Sequence, residues 1–137
     1  MNVEALQKKY PGAQPYRMGD NDALTAELLA LVRAGVKRAT CTAMIDVEEG
    51  REALPMLGRC DICMAPDGTP AVVTRTAELR ELRFCDMTAE MALAEGEDDS
   101  LDSWRAGHRR YYERQGIFHP EMQLIWERFE VVEDFAR

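Results

Sequence analysis

No stretch of this sequence approaches the roughly 20 apolar residues that a membrane-spanning helix needs. The beginning of the chain carries Glu4, Lys8 and Lys9 and lacks the apolar run of a secretory signal. We therefore expect a cytoplasmic protein that has no membrane partner.

Basic residues are also in short supply. Acidic residues outnumber lysine and arginine by 25 to 17, and the formal net charge is −8. Tight, sequence-independent binding to a long nucleic acid is driven by counterion release at basic surfaces. The net negative charge therefore favours a small substrate over a long nucleic-acid strand. A local phosphate-facing stripe is still compatible with it, because four arginines lie close together in the sequence: Arg105, Arg109, Arg110 and Arg114.

A complete set of metal ligands is missing as well. Only one pair among the four cysteines, Cys60 and Cys63, has the spacing of a zinc half-site, and no second Cys or His pair accompanies it. If this segment is a strand, the two thiols point to opposite faces. We expect no metal and no cofactor, and we expect the cysteines to be reduced and to pack as small apolar side chains.

The patterns that are present predict an α+β fold in a single domain spanning residues 1–137. Short strands are separated by inserted helices, and a small closed or nearly closed β-barrel is the expected arrangement. The predicted helices are Val3–Lys9, Ala23–Ala34, a short turn over Asp46–Arg51, Thr88–Ala94, and one running from Asp99 or Ser100 to Arg114. The predicted strands are Arg38–Met44, Arg59–Met64, Ala71–Thr76, Leu79–Phe84 and Met122–Val132.

The segment from Gly35 to Thr42 joins the second predicted helix to the first strand. Gly35 lies where this helix should end, because glycine adopts the left-handed C′ conformation without a Cβ clash. Lys37 and Thr40 follow on a turn leaving the helix, where polar groups often face a ligand. The competing interpretation is a helix exit with a solvated Lys37–Arg38 pair.

The last predicted helix follows an acidic loop. Leu101, Trp104, His108 and either Tyr111 or Tyr112 recur three or four residues apart, so they share one face of this helix. That face fits both a buried core and a ligand platform, and the sequence alone leaves the two open.

Together these two segments resemble the ASCH domain family, and most of all its larger bacterial subgroup. The resemblance covers about Leu24 to Val132 and rests on two motifs in a fixed order. They are Gly35-x-Lys37-x-Ala39-Thr40 and Glu95-Gly96-Glu97-x-x-Ser100-Leu101-x-x-Trp104-Arg105-x-x-His108. The resemblance implies a PUA-like small β-barrel with helices packed at its mouth, and a cleft associated with RNA or nucleoside chemistry.

Small ASCH proteins include N(4)-acetylcytidine amidohydrolases. Carried over by motif, the resemblance implies that Lys37, Thr40 and Glu97 form a catalytic unit. It also implies a set of substrate-binding candidates around them: Arg38, Thr42, Glu95, Trp104, Arg105 and His108. The implied partner is a small nucleoside substrate or a short single-stranded RNA.

Amide hydrolysis needs a nucleophile, a base and a partner for the developing oxyanion. Thr40 can supply the hydroxyl. Lys37 is either a neutral base or a cation facing the oxyanion, in which case Glu97 moves the proton. The alternatives to a hydrolase are a non-catalytic RNA-binding module and a ribonuclease. Enzymatic activity and oligomeric state are both left open by the sequence.

Overall fold

The computed structural model describes residues 1–135, in which five strands and five helices alternate irregularly along the chain. The helices are α1 Val3–Lys9, α2 Asp22–Arg33, α3 Met44–Glu48, α4 Ala89–Ala94 and α5 Leu101–Arg114, with a 3₁₀ turn over Phe84–Asp86. The strands are β1 Pro15–Tyr16, β2 Ala39–Ala43, β3 Cys60–Met64, β4 Pro70–Arg83 and β5 Gln123–Asp134. The predicted α+β class is confirmed.

All the described strands belong to one open sheet in the order β1-β3-β4-β5-β2. Only β1 and β3 run parallel, and the other neighbours are antiparallel. The prediction of a closed or nearly closed barrel is wrong, because the edge strands β1 and β2 do not pair within residues 1–135. Closure requires hydrogen bonds between the edges, and a β1 of only 2 residues offers few of them.

Strand β4 is continuous where the sequence predicted two strands. It pairs with β5 from Val72 to Arg83, and the register shifts between Thr76 and Glu78. An irregularity of this kind adds a residue and bends a strand without ending it. The strands predicted at Ala71–Thr76 and Leu79–Phe84 are therefore two halves of one bent strand.

Local capping signals fix the helix ends. Asn21 Oδ1 accepts a hydrogen bond from the Leu24 amide at 2.9 Å, and Ser100 Oγ accepts one from the Ser103 amide at 3.0 Å. Both residues are favoured N-cap types. After α2, Gly35 has a φ of +74°, which confirms the predicted helix end.

Buried side chains form three clusters around the sheet. The cluster under α4 and α5 contains Trp104, Met91 and Trp126, the second packs α2 on Val72 and Phe129, and the third packs α1 on Ile62 and Val73. Cys63 belongs to the second cluster, whereas Cys60 packs against the third. The two thiols therefore lie on different faces of β3. None of the helices in residues 1–135 is long and apolar enough to cross a membrane.

Candidate active site

A polar cavity of about 480 Å³ lies on one face of the sheet. On β2, Ala39, Cys41 and Ala43 pack toward α4 and α5, so the alternating residues Thr40 and Thr42 face the other side. Every strand contributes to the cavity wall, through Tyr16, Asp61, Thr74, Glu127, Thr40 and Thr42. Lys37 and Glu97 complete the wall beside β2.

Lys37 lies between α2 and β2 and is only 2% exposed. Its Nζ donates to Ala39 O at 2.9 Å, to Glu95 O at 3.2 Å and to Glu97 Oε2 at 2.9 Å. These acceptors match the three N–H donors of an ammonium group. A buried charge is tolerated only when it is paired and hydrogen-bonded, so the contacts account for a charged lysine at this depth. The solvated Lys–Arg pair is not what the structure shows, since only Arg38 is exposed.

Gly96 brings the acidic turn against Lys37. It has a φ of +77°, and a Cβ on it would lie 2.6 Å from Val36 O and 2.7 Å from Lys37 Cα. The approach is held by a hydrogen bond of 2.8 Å from the Arg38 amide to Ala94 O. Only glycine combines this conformation with this contact. The residues on either side, Glu95 and Glu97, are therefore positioned around the lysine.

Glu95 turns away from the cavity and is buried at 2% exposure. Its Oε2 accepts a hydrogen bond from Trp104 Nε1 at 2.9 Å, and its Oε1 lies 3.6 Å from His108 Nε2. The rings of Trp104 and His108 stack with centroids 4.0 Å apart. This cluster joins α5 to the turn that carries Glu97.

The environment of His108 favours its protonated form. Burial alone lowers the pKa of His108. The hydrogen bond and the negative charge of Glu95 raise it, as do the hydrogen bond to the Trp104 carbonyl and the charge of Glu97. Together these contacts outweigh burial, so the pKa lies above 6.5. The Trp104 carbonyl oxygen lies 3.0 Å from His108 Nδ1. A charged imidazole would partly compensate the buried Glu95 carboxylate.

Thr40 and Thr42 line the cavity. Neither makes a side-chain hydrogen bond to another residue within the described range 1–135. The neighbouring Cys41 is a poor nucleophile, because burial raises the pKa of its thiol well above the usual range. Thr40 and Thr42 are therefore the available hydroxyl nucleophiles beside Lys37 and Glu97.

Of the nine residues singled out from the sequence, four line the cavity: Lys37, Thr40, Thr42 and Glu97. Arg38 lies in a separate surface depression with Arg33 and Arg128. Glu95 and His108 lie behind the wall, and Trp104 is fully buried in the core. Arg105 borders another depression with Phe118 and reaches Met87 O at 3.4 Å. These five side chains therefore lie outside the cavity that Thr40 faces.

The sequence did not single out Glu127, which also lines the cavity. Burial raises the pKa of this carboxyl, and the Asp61 charge adds to the effect, while a hydrogen bond from Thr76 and the Arg59 charge oppose it. Arg59 forms a bidentate ion pair with Asp61 on the same wall. The sequence carries one signal for Glu127. This residue shares a face of β5 with Ile125 and Phe129, which are buried, so an acidic residue occupies a position where an apolar one is expected.

Metal ligation has no visible basis here. Within residues 1–135, no three His, Cys, Asp or Glu side chains converge in a way that could hold a metal ion. The cavity wall carries a lysine, hydroxyls, arginines and carboxyls.

The open five-stranded sheet with five helices matches the fold of solved ASCH domain structures, which are PUA-like. The family model of the ASCH domain matches residues 14–133, so the chain belongs to the ASCH domain family, whose members are proposed to bind RNA. No curated protein matches it.

Two solved structures are similar over 97% of this chain, each with a TM-score of 0.81. One is an ASCH domain from Lactobacillus crispatus JV V101, at 25% identity and 87% coverage of that chain. The other is protein EF3133 from Enterococcus faecalis V583, of family-model DUF984, at 26% identity and 86% coverage of that chain. A third structure, hypothetical protein PH0355, has 15% identity and a TM-score of 0.54, so its likeness concerns the fold alone.

Proposed function

We propose that this protein hydrolyses the amide of an N(4)-acylated cytidine or a related acylated nucleoside. The observation that carries the proposal is the ion pair between the buried Lys37 and the solvent-accessible Glu97, in the wall of the cavity that Thr40 also lines. A nucleophile, a proton acceptor and a cation are thus gathered at one cavity. A volume of about 480 Å³ lies within the range of small-molecule sites.

The contacts of Lys37 favour one of the two proton schemes. A neutral amine acting as a base would direct its lone pair at the nucleophile, but the three polar atoms bonded to Nζ are all acceptors. This arrangement supports a charged Lys37, with Glu97 taking the proton from Thr40. Once Glu97 is neutral, the Lys37 charge is no longer compensated and is available to the developing oxyanion.

In this scheme, Thr40 Oγ attacks the acyl carbon while Glu97 accepts the hydroxyl proton. The C–N bond then breaks, its electron pair goes to the nitrogen, and cytidine leaves with one proton on that nitrogen while the acyl group stays on Thr40. This proton balances the one taken from Thr40, so Glu97 is a carboxylate again before the ester is hydrolysed. Water attacks the resulting ester, with Glu97 again accepting a proton. Glu97 returns that proton to the Thr40 oxygen as the acid product leaves.

The test is incubation of the purified protein with a panel of acylated nucleosides, followed by chromatography. We expect release of cytidine from N(4)-acetylcytidine, a severe loss in Thr40→Ala, and retained turnover in Thr40→Ser, which keeps the hydroxyl. Glu90→Gln, on an exposed turn of α4, is the matched control for Glu97→Gln. Absence of turnover with every member of the panel would contradict the proposal.

A second candidate is RNA binding at the surface of α5. Arg109 stacks its guanidinium 4.9 Å from the Phe118 ring centroid, and Arg105 borders the same depression. Cations and an aromatic ring are the groups that hold single-stranded RNA. Titration with a labelled single strand at low salt tests it: binding lost in the double variant Arg105→Ala, Arg109→Ala would support this surface, and cleavage of the strand would indicate a ribonuclease.

A further inference from the structure

Glu127 stands directly opposite the proposed nucleophile. Strands β2 and β5 pair so that Thr40 is opposed to Glu127, and both residues line the cavity. Directly opposed residues of antiparallel strands have Cβ atoms about 4.5–5.5 Å apart. A substrate carbon bonded to Thr40 would therefore lie within reach of the Glu127 carboxyl.

The two carboxyls of the site differ in surroundings. Glu97 makes an ion pair with Lys37 at 2.9 Å. Within residues 1–135, Glu127 makes no ion pair: its close contact is the Thr76 hydroxyl on β4, and the charges that act on it are those of Asp61 and Arg59, which are paired with each other. Burial raises the pKa of Glu127, so at a given pH this carboxyl carries a proton more often than an exposed glutamate does. Carboxyls in contrasting environments commonly divide the roles of base and acid.

Cleavage of the amide needs such an acid. The nitrogen of an acylated cytidine would leave as a poor, strongly basic anion unless it gains a proton while the C–N bond breaks. With one carboxyl, Glu97 would have to take the Thr40 proton and then carry it to the leaving nitrogen. Glu127, on the opposite strand, is a second proton source that can act while Glu97 keeps the Thr40 proton.

Resting on the proposed function, we propose that Glu127 is the proton donor to the leaving nitrogen. The Thr40 oxygen forms a bond to the acyl carbon and its proton passes to Glu97. As the C–N bond breaks, its electron pair goes to the nitrogen, which takes the Glu127 proton. Glu127 is left as a carboxylate. Before the ester is hydrolysed, Glu97 gives its proton to cavity water and Glu127 takes one from it. The two carboxyls then have the same protonation as at the start.

The test compares two substrates that differ in their need for an acid. N(4)-acetylcytidine requires protonation of its leaving nitrogen, whereas p-nitrophenyl acetate releases a stable anion. We expect Glu127→Gln to lower kcat for N(4)-acetylcytidine by about 10²–10⁴-fold, the usual range for general acid catalysis, and to change the ester rate by less than about threefold. Glu127→Asp, which keeps an acid, should recover part of the loss.

Glu130→Gln is the matched control, because Glu130 lies on the same strand but is exposed and paired with Arg75. Equal losses on both substrates in Glu127→Gln would show a merely structural role and overturn the inference. Unchanged turnover of N(4)-acetylcytidine in that variant would overturn it as well, while leaving the proposed function intact. If the wild-type protein fails to turn over any acylated nucleoside, the proposed function fails and the role of Glu127 falls with it.

Discussion

Gly96 lies so close to Lys37 that a Cβ on Gly96 would stand 2.7 Å from the Lys37 Cα. This contact sets the distance between the lysine and the acidic turn, and hence the ion pair of Lys37 with Glu97. The acidic turn can approach Lys37 this closely because residue 96 has no side chain.

Replacing Gly96 with alanine should separate the turn from Lys37. The left-handed conformation alone costs a non-glycine residue about 1–2 kcal/mol, and the clash with the Val36–Lys37 backbone adds to it. Gly116→Ala is the control, since Gly116 has a φ of +73° and nothing within 4 Å of its added Cβ. We expect Gly96→Ala to lower the free energy of unfolding clearly more than Gly116→Ala, as measured by urea denaturation. Equal losses would show that the contact does not constrain the turn.

Trp104 should behave as a core residue. It is fully buried and packs with Phe84 at a centroid distance of 5.4 Å. Trp104→Ala should therefore lower the free energy of unfolding by about 3–5 kcal/mol. Trp104→Phe, which keeps a ring but loses the hydrogen bond to Glu95, should cost less. An unchanged denaturation midpoint in Trp104→Ala would indicate a ligand platform instead.

His108 should make stability depend on pH. Its pKa is raised in the folded protein, so the folded state holds the proton more tightly than the unfolded state does. The stabilisation is fully present below the unfolded pKa of about 6.5 and is lost as pH rises through the folded pKa. The difference in unfolding free energy between wild type and His108→Gln should therefore shrink from pH 5.5 to pH 9. His119→Gln, at the other and exposed histidine, is the control for replacing an imidazole. A difference between wild type and His108→Gln that grows with pH would contradict this prediction.

Local features of the fold could be predicted from the sequence. The cap at Ser100, the helix end at Gly35 and the shared face of Trp104 and His108 depend on residues a few positions apart. Helix α1 has the predicted bounds for the same reason. Lys37, Thr40 and Glu97 were singled out by motif, and the structure brings all three to one cavity wall.

Features that depend on distant pairing could not be predicted. Whether the sheet closes is decided by strand edges far apart in sequence, and β1, with 2 residues, gives no periodic signal. The burial of Lys37 depends on a turn about 60 residues later. Glu127 becomes part of the site only through its register with Thr40. Arg38 and Arg105 were carried over by motif position, which does not report the direction of a side chain.

The most direct test of the central claim is the turnover of N(4)-acetylcytidine by Thr40→Ala, Glu97→Gln and the double variant. If Thr40 and Glu97 act as one unit, each single variant should lose about 10²–10⁴-fold in kcat, and the double variant should lose little more than Thr40→Ala alone. A double variant whose loss equals the product of the two single losses, or single variants that keep wild-type turnover, would contradict the account.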